Sequence, residues 1–287
     1  MTENTIWHKF ANVDKRIIYV IILFSVLIPL LNPIGLPLVF QDEVIQTYNN
    51  IKSFPPGTHA YIGAEMDPTN SAEMRPMLLA LVRLMMELDH KIIIGSFWAD
   101  GCNLAQIWAG PVLEGLGAVY GEDYVILGYR SNATSILDSA RVNWIDAYSD
   151  RDMSNRQLST MPVMEGLTKV SDLGYAAILN NGGPGTATYI TAWRATGDLY
   201  SLFDFSNSGM YVTSGTNYQA GLTAGLVGGI NGTAQFERLI EHPDRAVRSL
   251  DAQALGHLAV LIFLFFGNLG YLNIKRMEQE VKNSGGS

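Results

Sequence analysis

Hydrophobic and polar positions divide the chain into three zones. An apolar block runs from Ile17 to Phe40, short apolar runs alternate with amphipathic segments through the middle, and a second apolar block runs from Ala254 to Ile274. The first block holds no charged residue over about 24 positions, enough to cross a hydrocarbon core of roughly 30 Å at about 1.5 Å per residue. Pro29, Pro33 and Pro37 remove backbone donors from its second half, so the exit end is expected to kink or unwind. No small-residue cleavage site precedes Gln41-Asp42-Glu43, which favours an uncleaved anchor over a removed signal peptide. The second block also lacks Asp, Glu, Lys and Arg and ends at Lys275-Arg276. His257 and Asn268 inside it are read as helix-contact residues rather than an ion path.

Between the blocks the spacing predicts a short helix or linker at Asp42–Lys52 and a strand at Thr58–Ala64. Ser71 then caps a helix over Ala72–Leu88, whose apolar positions recur at helical spacing. The run Lys91–Phe97, Lys-Ile-Ile-Ile-Gly-Ser-Phe, has no polar alternation and reads as a central strand buried on both faces. A helix near Leu104–Val119, a strand at Tyr124–Tyr129, helices at Asn132–Tyr148 and Val163–Leu173, and a strand at Tyr175–Leu179 follow. Leu199–Ser206 and Met210–Thr213 add a further strand or two. Repeated strand and helix with short connections predicts an α/β fold: a Rossmann-like, doubly wound, mostly parallel sheet flanked by two transmembrane helices.

The glycines at 221, 225, 228, 229 and 232 suggest a helix over residues 217–242 with one nearly bare face. That face would pack either inside the subunit or, as a homo-oligomer contact, against another copy: Gly221, Gly225, Gly228, Gly229 and Gly232 are the residues in question. The domain boundaries expected are a cytoplasmic segment 1–16, a first span 17–40, the α/β domain 41–253, a second span 254–274 and a cytoplasmic tail 275–287.

Charge refines the placement. Lys9, Lys15 and Arg16 precede the first span, and Lys275, Arg276 and Lys282 follow the second, so the positive-inside bias puts both termini in the cytoplasm and the α/β domain outside the cell or cytoplasmic membrane. Arg245 and Arg248 oppose that bias. The net charge of −8 and the lack of a basic run exclude a nucleic-acid partner. The single cysteine, Cys102, excludes an internal disulfide, and no motif calls for a metal or a cofactor.

Ligands of open α/β sheets bind beyond the carboxyl ends of the strands. There the sequence places Glu65, Asp67, Ser96, Asp100 and Arg130, and the loop Asn180–Thr186. Within that loop Asn181, Gly182, Gly183, Gly185 and Thr186 present backbone amides to an anion or simply turn the chain. Glu65, Asp67 and Asp100 could serve as acid and base or hold a hard cation, or they cap helices and solvate loops. The dinucleotide pattern, the phosphate loop and the serine-hydrolase elbow are all missing, so no catalytic residue is assigned.

Three stretches carry a resemblance: Leu31-Asn-Pro-Ile-Gly-Leu-Pro37, Tyr120-Gly-Glu-Asp-Tyr-Val-Ile-Leu-Gly-Tyr129 and Ala220-Gly-Leu-Thr-Ala-Gly-Leu-Val-Gly-Gly-Ile-Asn-Gly232. On these the chain resembles an uncharacterised family of bacterial and archaeal membrane proteins with a Rossmann-like domain between two spans. That resemblance implies architecture and no activity. The expectation is a membrane-anchored, self-assembling scaffold bound to the lipid bilayer, its protein partner unknown. The alternative is a small-ligand-binding or hydrolytic domain using the strand-end loops.

Overall fold

A computed structural model of the chain describes residues 13–284. The expected N-terminal segment through residue 12 and the last three residues of the tail lie outside the described residues. The chain forms two compact units, Pro37–Val247 and a unit built from the residues through Leu36 together with Arg248 onward.

In the larger unit the strands are β1 (His59–Glu65), β2 (Lys91–Ser96), β3 (Tyr124–Tyr129), β4 (Tyr175–Asn180), β5 (Leu202–Ser206) and β6 (Gly225–Gly228). They form one sheet in the order β3-β2-β1-β4-β5-β6, with every neighbouring pair parallel. The order reverses direction between β1 and β4, as in doubly wound dinucleotide folds. The expected α/β class and parallel sheet are therefore present. One face packs Ile62, Ile94, Leu179 and Phe205 against α2 (Asp42–Lys52), α3 (Ser71–Glu87), α4 (Gly101–Gly115) and α9 (Gly229–Leu239). The other packs Tyr61, Ile93, Val125 and Ile178 under α5 (Ala133–Ala140), α6 (Trp144–Ala147), α7 (Thr186–Tyr189) and the π-helical turn Ile190–Arg194. Burial on both faces is why β2 reads as an unbroken apolar run.

Several sequence expectations need correction. The helix over 217–242 is not formed: α8 (Tyr211–Gln219) ends before it, residues 225–228 are strand β6, and α9 starts at Gly229. Gly221, with φ of +68°, and Gly229, with φ of +57°, break the helical path, because left-handed backbone ends an α-helix. The remaining glycines are small for reasons inside the subunit. A Cβ on Gly225 would lie 2.3 Å from Thr47 Oγ1, one on Gly228 would lie 2.0 Å from the Tyr211 ring, and Gly232 backs onto Val227. Residues 211–213 are helical rather than extended, and Val163–Leu173 holds only 3-10 turns.

In the smaller unit, α1 (Lys15–Leu31) covers 17 residues, about 26 Å at about 1.5 Å per residue. The first apolar block is thus helical only to Leu31, and residues 33–41 have no regular structure because Pro33 and Pro37 cannot continue a helix. The last helix, α10 (Arg245–Ser284), outruns the expected 254–274 at both ends. Its part from Arg245 to Met277 is the one helix among the described residues long and apolar enough to cross a membrane. Glu237 starts it, accepting the backbone N–H groups of Asp244, Ala246 and Val247 at 2.9, 3.1 and 3.0 Å.

Asp251, 2% exposed, ties the smaller unit together. Its carboxylate accepts three consecutive backbone N–H groups, from Ile34, Gly35 and Leu36, at 2.9, 2.8 and 3.1 Å. Charge-assisted bonds of this type are about twice as strong as neutral ones. Asp251→Ala is expected to free this turn, read as faster proteolysis within residues 32–41 of the detergent-solubilised chain. Unchanged cleavage there would remove the role.

Candidate functional site

Partners in parallel register share a face, so the pairs Glu65 with Asn180 and Asn180 with Ser206 set three polar side chains in a row across the carboxyl ends of β1, β4 and β5. All three are buried, Glu65 and Ser206 completely. They lie at the point where the strand order reverses, where such sheets bind ligands.

Just below Glu65 the sheet is hollowed by a facing pair of glycines, Gly63 and Gly95. A Cβ on Gly63 would lie 2.8 Å from Tyr189 Oη, and one on Gly95 would lie 2.5 Å from Tyr61 Oη and 2.9 Å from Tyr148 Oη. Three tyrosine hydroxyls occupy that hollow. Tyr189 donates to Glu65 Oε1 at 2.5 Å, and Tyr61 Oη lies 3.2 Å from Tyr189 Oη. The other carboxyl oxygen accepts the Phe97 N–H at 2.8 Å and the Ser96 hydroxyl at 3.3 Å. Burial dominates these bonds and raises Glu65 from an ordinary 4.5 to about 7. Burial also lifts Tyr61 and Tyr189 well above the normal phenol range, so both keep their protons.

A second buried acid sits beside this row. Asp204, one alternation back from Ser206, is fully buried and raised to about 6 by burial, with Ser214, Thr186 and Asn180 facing it and opposing that rise. Its bonds are poor. Asn180 Nδ2 reaches Asp204 Oδ2 and Ser214 Oγ only at 3.4 Å. Asn180 Oδ1, Thr186 Oγ1, Asp204 Oδ1 and Ser206 Oγ are buried and have no hydrogen-bond partner. Thr186 is near enough to temper the Asp204 charge without a geometry that closes a bond on Oδ1. A buried polar atom left without a partner costs about 1–3 kcal/mol, so four in one layer call for something that completes them.

The loop after β4 covers this layer. Gly185 has no room for a side chain, because a Cβ would stand 2.2 Å from Gly182 O and 2.3 Å from Asn180 Oδ1. Trp98 donates its indole N–H to Pro184 O at 2.8 Å and lies over Gly182. Asn181 Oδ1 accepts from Asn70 at 2.5 Å and from Asn207, which ties together the loops following β1, β4 and β5. Beside this loop an open depression of about 460 Å³ lies between α5 and the segment from α7 into the π-helical turn, lined by Thr134, Asp138, Thr188 and Thr191.

Of the residues expected at the site, Glu65, Ser96, Asn181, Gly182, Gly185 and Thr186 come together here. Gly183 is in the same loop but exposed. Asp67, Asp100 and Arg130 do not join it. Asp67 accepts from Thr69 N and Thr69 Oγ1, closing the turn before α3. Asp100 is exposed ahead of α4 and caps nothing with its side chain. Arg130 is spent on the carbonyls of Tyr129, Tyr148 and Arg151. The three acids of the expected acid-base or cation set therefore do not meet. Cys102 is buried and its thiol is pushed up to about 12, so it carries no thiolate. Asp204, Ser206, Ser214 and the tyrosines had not been expected. The available signal was Asp204 itself, an acid inside the apolar strand Leu202-Phe-Asp-Phe-Ser206. No protein family, curated protein or solved structure matches the chain.

Proposed function

We propose that the chain is a membrane-anchored binding protein whose α/β domain holds a small polar ligand at the carboxyl edge of its sheet, without catalysing a reaction on it. The observation that carries this reading is the set of four buried, unpartnered oxygens on Asn180, Thr186, Asp204 and Ser206 beneath a glycine loop. A site built to hydrogen-bond a ligand leaves such atoms unsatisfied when the ligand is away. The anchor is α10, and the shorter α1 is read as a second span beside it. Exposed apolar side chains support that reading of α1, with Leu23 at 58% and Leu31 at 72%. Basic residues at both outer ends favour cytoplasmic termini and an extracytoplasmic α/β domain. Four of the five glycines that suggested self-assembly, Gly225, Gly228, Gly229 and Gly232, pack inside the subunit, and Gly221 is exposed in a turn.

Thermal unfolding of the detergent-solubilised chain against amines, polyols, sugars, carboxylates, nucleotides and inorganic salts tests the reading. A ligand at 100 times its dissociation constant adds about 2.7 kcal/mol, a rise of roughly 5–10 °C for a domain of this size. The expected result is such a rise with one chemical class and its loss in Asp204→Asn. No response to any class would overturn the proposal.

A further inference from the structure

We infer that the oxygen layer at Asp204 is a site for a monovalent alkali-metal cation, an inference that rests on the binding reading above and names its ligand. The candidate donors are oxygens: a carboxylate on Asp204, hydroxyls on Thr186 and Ser214 that face it, and the unpartnered Asn180 Oδ1 and Ser206 Oγ of the adjoining register pair, with Asn180 Nδ2 turned toward Asp204 Oδ2 at 3.4 Å. Oxygen-only sets select hard cations, whereas softer transition metals take imidazole or thiolate. Among the described residues no group of three or more His, Cys, Asp and Glu could hold a metal ion, so a multi-carboxylate divalent site is not what this layer offers.

Charge selects within the hard cations. Of the two buried acids here, Glu65 is engaged by Tyr189, Phe97 and Ser96, while Asp204 faces the unpartnered oxygens and is in no ion pair among the described residues, so one positive charge neutralises it. A divalent ion would leave a net positive charge buried, and uncompensated buried charge costs several kcal/mol. Calcium also takes six to eight oxygens, usually several of them from carboxylates, and magnesium keeps waters that this covered layer has no evident room for.

Enclosure supports an ion rather than an organic molecule. Asp204, Thr186, Ser206 and Ser214 are 0% exposed, and Asn180 is 3% exposed. Gly185 passes so close above Asn180 Oδ1 that a single methyl group would collide with it. The unpartnered oxygens need positive charge or donors, and an ion about the size of a water molecule supplies the former. Bound there, it would hold the ends of β4 and β5 to the start of α7.

The test uses the full chain in detergent, with thermal unfolding in NaCl or KCl against choline chloride at equal ionic strength, and in parallel MgCl2 and CaCl2. One alkali salt is expected to raise the unfolding temperature saturably, with choline inert and the divalent salts weaker. Thr186→Val, which keeps the shape and removes one hydroxyl, is expected to weaken apparent affinity about tenfold, and Asp204→Asn to abolish the response. Asp100→Asn, at an exposed position away from the layer, is expected to retain it. Should Asp204→Asn fail to fold, Thr186→Val and Ser206→Ala carry the test. Equal behaviour in choline and alkali salts, or an alkali response unaltered by both hydroxyl variants, overturns the cation. If organic ligands alone stabilise the chain through this layer, the cation is wrong and the binding reading stands. If nothing stabilises it, both fall.

Discussion

Glu65→Gln is expected to flatten the pH dependence of folding between pH 5.5 and 8. Glu65 rises from an ordinary 4.5 to about 7 in the folded chain, so the folded state holds the proton more tightly than the unfolded one. Its contribution is fully present below the unfolded value and is lost as pH rises through about 7. At about 1.4 kcal/mol per pH unit the ceiling is roughly 3 kcal/mol, of which about 2 falls between pH 5.5 and 8. The groups facing the carboxyl are the Phe97 and Trp98 backbone amides, the Ser96 hydroxyl, the phenols of Tyr61, Tyr148 and Tyr189, and the protonated thiol of Cys102. None of these brings a positive charge, and the hydrogen bonds from Tyr189, Phe97, Ser96 and Trp98 offset only part of the burial when the proton leaves. Glutamine reproduces the neutral acid's shape and lets Tyr189 reverse its hydrogen bond. Urea unfolding followed by tryptophan fluorescence in detergent measures the difference, with Asp204 contributing equally to both curves. Parallel curves for the two proteins would show that Glu65 is ionised in the fold.

Trp193→Ala is expected to cost more than any other substitution considered, about 3–5 kcal/mol. Trp193 is fully buried in the π-helical turn and meets the rings of Tyr61, Trp144 and Tyr189 at centroid distances of 5.4, 5.9 and 5.0 Å. Its indole N–H donates to Leu137 O at 3.1 Å, so truncation leaves both a cavity and an unpaired carbonyl. Tyr189, the donor to Glu65, is held by that contact, so the variant should also shift the pH dependence attributed to Glu65. Circular dichroism against urea measures the cost. A loss under 1 kcal/mol would mean that this aromatic cluster does not fix the turn over the sheet.

The sheet was legible because its strands are buried on both faces. Lys91–Phe97 has only one reading as an apolar run bounded by a helix pattern and Asp100-Gly101, and three more strands follow in the same rhythm. The glycine segment misled because period-four spacing cannot register backbone sign: φ is positive at Gly221 and Gly229, and the spacing is incidental to strand β6. Half the site was legible, since Glu65, Ser96 and the Asn181–Thr186 loop follow strands directly. Asp67, Asp100 and Arg130 satisfy the same rule, yet a side chain at a strand end can equally turn outward or bond its own loop, and local spacing does not decide which. Asp204 escaped because its role depends on α7 and α8, which approach from 18 residues before it and 7 after it, at Thr186 and Tyr211.

Electron density from crystals of the full chain grown in NaCl, then soaked in a heavier alkali salt such as rubidium chloride, tests the central claim most directly. The account predicts an anomalous peak bonded to Asp204 Oδ1, Asn180 Oδ1, Thr186 Oγ1 and Ser206 Oγ beneath the Gly182–Gly185 loop. Those four oxygens closing on one another, or on a single water with no anomalous signal, would contradict it.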